Sequence, residues 1–159
     1  MKKIGLTALI ALLLCVLAGC PNDDGGKNGG KTPASMTFVD NPDNPAREFT
    51  IDENLNFKVN FIQPEGMALA YGLEKGDVIS GKITDTGGAA WNSDLTGVAE
   101  QMTATNPTFA GAMPGIKVTI SLTYTKVEDV ITAVNMELKG EDVAAIADML
   151  MGGTYYIKK

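Results

Sequence analysis

Ile116-Lys117-Val118-Thr119-Ile120-Ser121-Leu122-Thr123-Tyr124-Thr125 decides the fold class together with the run that follows it, Val130-Ile131-Thr132-Ala133-Val134-Asn135-Met136-Glu137-Leu138. In the first run every second residue is apolar and each intervening one is Lys, Thr or Ser. Successive side chains of a strand point to opposite faces, so this pattern makes a strand with one dry face and one wet face. The second run repeats the pattern through Val130, Thr132, Val134, Met136 and Leu138, and the short break at Val127-Glu128-Asp129 predicts a β-hairpin.

The same period appears in Leu55, Phe57, Val59 and Phe61, separated by Asn56, Lys58 and Asn60. Weaker strands are expected at Glu48–Ile51, Asp77–Asp85, Ala89–Asp94 around Trp91, Val98–Thr103 and Thr154–Ile157, with Gly81 marking a bend or bulge. The folded region begins near Arg47, and the repeated turn formers Asp40-Asn41-Pro42-Asp43-Asn44-Pro45 mark the approach to it. Gln63–Lys75 reads as a long connection, and Asn106-Pro107 and Met113-Pro114-Gly115 as loop breaks. One helix is expected after Glu141-Asp142, where Val143, Ile146, Ala147 and Leu150 fall at helical spacing and Gly152-Gly153 ends the run. Its wide apolar arc, flanked by Met149 and Met151, predicts that it closes one end of the fold, as a core plug or as the lid of a ligand site. About eight strands joined by hairpin-length links favour an all-β fold, an antiparallel up-and-down barrel with one short helix near the C-terminus.

Upstream of the barrel the pattern changes. Pro21–Ser35 has four glycines and no apolar period, the composition of a flexible tether reaching about 20 Å on average. Before it, Met1-Lys2-Lys3 supplies a positive start and Ile4–Val16 is apolar apart from Gly5 and Thr7, the layout of a secretory signal. The four residues that close this run, Leu17-Ala18-Gly19-Cys20, resemble the lipobox of bacterial lipoproteins. That resemblance implies cleavage before Cys20, diacylglycerol on its sulfur and further acylation, for example by palmitate, on its amine. The expected organisation is a cleaved signal peptide at 1–19, a lipid-anchored linker at 20–36 and a β-barrel domain at 37–159. Two or three acyl chains hold a protein firmly on a membrane, so the anchor needs no help from the protein surface. The expected location is the cell envelope, at the outer membrane or cell surface of a two-membrane bacterium.

Composition narrows the function classes. The chain has 13 basic and 19 acidic residues, net −6, and losing Lys2 and Lys3 leaves 11 against 19, or −8. This argues against nucleic acid, whose binding rests on neutralising phosphates. With no His, and with Cys15 lost and Cys20 committed to lipid, serine triads, Cys-His dyads and most zinc sites are excluded, and no disulfide is available. The acidic pairs Asp52-Glu53, Glu128-Asp129 and Glu141-Asp142 sit at turns or a helix start, where capping favours acids. Gly76, Gly81, Gly87 and Gly88 form no phosphate loop. Methionines at 36, 67, 102, 113, 136, 149 and 151 form no repeated copper(I) motif and suit adaptable apolar surfaces instead. No catalytic residue, metal ligand or cofactor is expected. Trp91, Tyr124, Tyr155 and Tyr156 are expected in the core or at a barrel rim.

The alternating strands, the Gly-bearing Asp77-Val78-Ile79-Ser80-Gly81-Lys82-Ile83 and the terminal Gly152-Gly153-Thr154-Tyr155-Tyr156 resemble the lipocalin-like, or calycin-like, β-barrel lipoproteins of bacteria. The Gly-x-Trp motif near the first strand of typical lipocalins is missing, so the resemblance implies a barrel but no particular lipocalin activity. The leading expectation is a lipid-anchored, non-enzymatic module that binds a small apolar ligand. The alternative is an envelope protein with a filled core that binds another macromolecule; no protein partner can be named.

Overall fold

A computed structural model of the chain describes residues 35–84, 94–111, 113, 116–140 and 142–158. The signal segment, Cys20, the tether up to residue 34, most of the strand expected at Ala89–Asp94 with its Trp91, and Glu141 lie outside the described residues. Eight antiparallel strands form one closed barrel in sequence order: β1 Ser35–Val39, β2 Arg47–Asp52, β3 Asn56–Phe61, β4 Val78–Thr84, β5 Leu95–Ala104, β6 Val118–Val127, β7 Val130–Lys139 and β8 Gly153–Ile157. Closure is made by β8 pairing with β1, Phe38 opposite Ile157 and Val39 opposite Tyr156. The expected all-β, up-and-down architecture is therefore the observed one.

Alternation fills the interior. Phe38, Phe49, Ile51, Phe57, Val59, Phe61, Ile79, Ile120, Leu122, Val134 and Tyr155 are fully buried. They meet across the strands as Phe49 opposite Val59, Leu122 opposite Met136 and Val134 opposite Tyr155. Small residues make room for large ones. A Cβ on Gly81 would stand 2.9 Å from the Phe57 ring, and Gly97 and Ala99 lie opposite Ile120 and Val118. Outside, hydroxyl pairs cross the strands at Thr37–Thr50, Ser80–Thr103 and Thr96–Ser121. An apolar interior under a polar outer wall reverses the arrangement of membrane-spanning barrels.

Two bulges break the alternation. Ser80 pairs with Thr103 but Lys82 with Glu100, so β5 carries an extra residue opposite Gly81, and Gln101 takes φ 53° to accommodate it. This is the irregularity expected at Gly81. The second bulge inserts Thr132 between Ala133 and Ile131, which pair with Thr125 and Lys126. It moves Thr132 and Val130 off the inward face on which the simple alternation places them, and Val130 is 64% exposed.

The fold starts earlier than expected. β1 pairs with β2 from Ser35 opposite Asp52 to Val39 opposite Glu48, so Asp40–Pro45 joins two strands instead of preceding the first. Its lone aromatic and five-residue length carried too little periodic signal. The connections expected to be plain loops also contain single helical turns, α1 Met67–Ala70 and α2 Pro107–Ala110, in addition to the expected helix, α3 Asp142–Met151.

Candidate ligand pocket at the helical end

The strand directions place α1, α2 and α3 at one end of the barrel. The turns after β2 and β6, and Ser35 at the start of β1, stand at the other. At the helical end α3 lies across the barrel mouth. Ala144, Ala147, Leu150 and Met151 are buried, while Met149 is 50% exposed on the far side. The Asp148 carboxylate accepts the Leu138 N–H at 2.8 Å and so ties α3 to β7. Close packing continues at Gly140, where a Cβ would stand 3.1 Å from that of Ala144.

The C-terminus of α3 is held by charge. Arg47 donates to the carbonyl oxygens of Leu150 at 2.8 Å and Gly152 at 3.2 Å, while its Nε bonds Asp40 at 3.0 Å. A cation beside the last carbonyls of a helix opposes their partial negative charge. Arg47 also lies 5.3 Å from the centre of the Tyr155 ring, and the Tyr155 hydroxyl donates to the Met151 carbonyl. Burial pushes the Tyr155 phenol well above its ordinary range.

A second polar knot sets α2. Asn106, the buried polar residue of the core, accepts the Thr108 N–H at 3.0 Å as a helix N-cap and donates to Gly72 O at 2.8 Å and Asp77 Oδ2 at 3.0 Å. The Asp77 carboxylate is held below its usual range by the Glu74 N–H at 2.7 Å, with the Asn106 amide and Thr105 hydroxyl assisting against the cost of burial. These bonds fasten the β3–β4 connection to the end of β5.

Between the two knots is an apolar pocket of about 260 Å³. Ile79 and Met102 of the barrel form its floor; Ile146, Ala147, Leu150 and Met151 of α3 form one wall. The opposite side carries Phe109 of α2, Tyr71, Met113 and Ile116, with Thr108 completing the lining. Tyr71 and Phe109 meet at 6.1 Å between ring centres with their planes 59° apart. Among the described residues no carboxylate, ammonium or guanidinium group lines this space. A neighbouring cleft of about 230 Å³ beyond α3 is polar instead, bounded by Asp40, Arg47, Gln63 and Glu65 with Met67 and Met149.

The expected lid residues thus divide. Ile146 and Met151 line the pocket, Met149 borders the polar cleft, and Leu150 borders both. Tyr155 is in the core, Tyr124 is nearly buried at 9% exposure, and Tyr156 faces outward at 44%. Burial, with the nearby Asp94, pushes the Tyr124 phenol up to about 12. Of the acidic pairs, Asp52-Glu53 and Glu128-Asp129 occupy turns as expected, Asp52 accepting the Asn54 and Asn56 N–H groups at 2.9 Å. Among the described residues no group of three His, Cys, Asp or Glu is placed to hold a metal ion, and no helix is long and apolar enough to cross a membrane. The wall made by Tyr71 and Phe109 was missed by sequence reasoning. The available signal was Asn106-Pro107, an N-cap followed by proline at the first helical position, which starts a helix instead of breaking a loop.

The chain is a closed eight-stranded antiparallel barrel with an uncharged pocket at one end. No family model, curated protein or solved structure matches it.

Proposed function

We propose that this chain is a lipid-anchored cell-envelope lipoprotein of lipocalin-like build whose helical end binds a small apolar ligand without catalysis. The observation that carries the reading is the uncharged pocket of about 260 Å³ between α2 and α3. The barrel interior is occupied by its own side chains, so the ligand sits at the mouth and not in the central cavity. Its position suits an anchored protein: Ser35, to which the tether from Cys20 leads, is at the end opposite the pocket. The lipobox-like Leu17-Ala18-Gly19-Cys20 supports the anchor.

Gentle extraction from the native membrane followed by mass spectrometry tests both parts. The expected result is a protein mass beginning at Cys20 with acyl chains attached, and a small apolar molecule leaving in stoichiometric amount on denaturation. An unmodified Cys20 ends the anchoring claim. For the pocket, Ile146→Asp, at a half-buried position of its wall, should abolish saturable uptake of an environment-sensitive apolar probe while the far-UV spectrum stays that of the folded barrel, and probe uptake unaffected by Ile146→Asp ends the pocket claim.

A second reading, docking of another macromolecule, is favoured by one observation. Met67, Leu69 and Met149 are 46%, 63% and 50% exposed, on α1 and α3 at the pocket end. Co-purification of a protein with the wild type but not with Leu69→Lys, and with no small molecule bound, would support it.

A further inference from the structure

We infer that the ligand of this pocket is a neutral, planar aromatic molecule of about ten non-hydrogen atoms. The inference rests on the proposed ligand-binding function and narrows it to a chemical class.

Charge is decided by the lining. An ion moved into apolar surroundings loses hydration that only a partner charge can replace, and none of the described residues lining the pocket supplies one. Size follows from the volume of about 260 Å³. A protein cavity of roughly 150 Å³ holds benzene, with six heavy atoms, so proportion leaves room for about ten. A long acyl chain does not fit, and a single water-sized guest would leave most of the lining without contacts.

Shape follows from the chemistry of the walls. Met102, Met113 and Met151 bring thioethers from β5, the β5–β6 connection and α3. All three are at most 4% exposed. Thioether sulfur makes favourable contacts with aromatic rings, most often at the ring edge, and adapts its three rotatable bonds to a rigid guest. Phe109 and Tyr71 supply a ring pair tilted at 59° on the other side, against which a flat molecule can stack or stand edge-on. A saturated chain of equal volume gains dispersion from these groups but neither the sulfur–ring nor the ring–ring contribution. The floor residues Ile79 and Met102 are fully buried, whereas Thr108 is exposed and Tyr71 half-buried, so the guest enters past these two.

The test uses the full chain in lipid nanodiscs with 5-fluoroindole as probe, followed by ¹⁹F NMR against empty nanodiscs. n-Octanol serves as the neutral aliphatic competitor of similar size and octanoate as the charged one. Saturable 5-fluoroindole binding is expected, displaced by indole at lower concentration than by n-octanol and not by octanoate. Met102→Leu and Met113→Leu keep the volume and the fold but remove sulfur, and each should weaken 5-fluoroindole about two- to tenfold and n-octanol by less. Ala147→Phe, which fills the pocket from α3, should abolish binding of both. Tighter binding of n-octanol than of indole, or Met→Leu variants that bind 5-fluoroindole as well as the wild type, would overturn the aromatic class while the apolar-ligand function stands. Absence of saturable binding by either neutral probe would overturn both.

Discussion

At one end of this barrel β2–β3 and β6–β7 are joined by turns of three and two residues; at the other, β3–β4, β5–β6 and β7–β8 are joined by connections long enough to hold helices. At the turn end, Asp52 gathers backbone N–H groups at 2.9 Å, and Glu128 and Asp129 take φ of 51° and 64° to reverse the chain tightly. At the helical end, Arg47 and Asn106 hold α3 and α2 in place by bonds to residues distant in sequence. Tight turns leave no volume between elements. Long connections must be covered and fastened, and where two of them fail to meet, an apolar hollow remains under α3. The pocket therefore belongs to the connections, while the barrel wall supplies its floor.

The largest expected effect tests whether both ends depend on that wall. Ile120→Asp places an unpaired carboxylate in the barrel interior, which costs several kcal/mol of a stability of about 5–15. Both ends should be lost together in a single urea transition at much lower midpoint, whereas Thr119→Asp on the wet face should move the midpoint little. Separate transitions for the two ends would show that each holds together without the shared wall.

Next is Arg47→Met, confined to the helical end. It strips the cation from the Leu150 and Gly152 carbonyls and from Asp40, which keeps only the backbone N–H groups of residues 46 and 47, at a cost of about 3 kcal/mol. Hydrogen exchange should accelerate in α3 and β8 while amides near Asp52 keep their protection. Acceleration at the turn end of equal size would mean that the ends are not independently fastened.

Asp77→Asn should cost about 1–2 kcal/mol at neutral pH, because the Asn106 amide loses its charged acceptor. The sign of the pH effect follows from the depressed carboxyl. Its stabilising contribution is complete above the ordinary value of 3.8 and fades as pH falls through the lower folded value. Asp52 is lowered too, by Asn56 and Asn54 hydrogen bonds that outweigh burial, so both ends weaken in acid. Stability measured from pH 7 to pH 2 should fall less steeply in Asp77→Asn than in wild type, and an unchanged slope would show that the knot at Asp77 carries no charge-dependent stability.

The smallest effect is a gain at the turn end. Left-handed backbone costs an ordinary L-residue about 1–2 kcal/mol, and Asn-Gly suits a two-residue hairpin turn. Glu128→Asn with Asp129→Gly should raise stability by about 1 kcal/mol without altering pocket binding. A loss of stability would indicate contacts of these acids that outweigh the strain.

How much was legible can be judged residue by residue. Val118, Ile120 and Leu122 declared their inward face through alternation, and α3 declared its buried stripe through helical spacing. Gln101 and Thr132 did not declare that they are extra residues in bulges, because a bulge is defined by the partner strand. Phe38 gave no strand signal in so short a segment, although β1 closes the barrel.

From local pattern alone, the chain determined that it folds as one-sided antiparallel strands with a hairpin at Glu128-Asp129 and a helix ending at Gly152, since side-chain direction repeats every two residues in a strand and every 3.6 in a helix. Only the tertiary structure decided that β8 pairs with β1, that Met151 turns inward while Met149 turns out, and that Met102, Met113, Tyr71 and Phe109 share one pocket. Those outcomes depend on which distant segments occupy the space beside each residue, and periodicity along one segment contains no term for its neighbours.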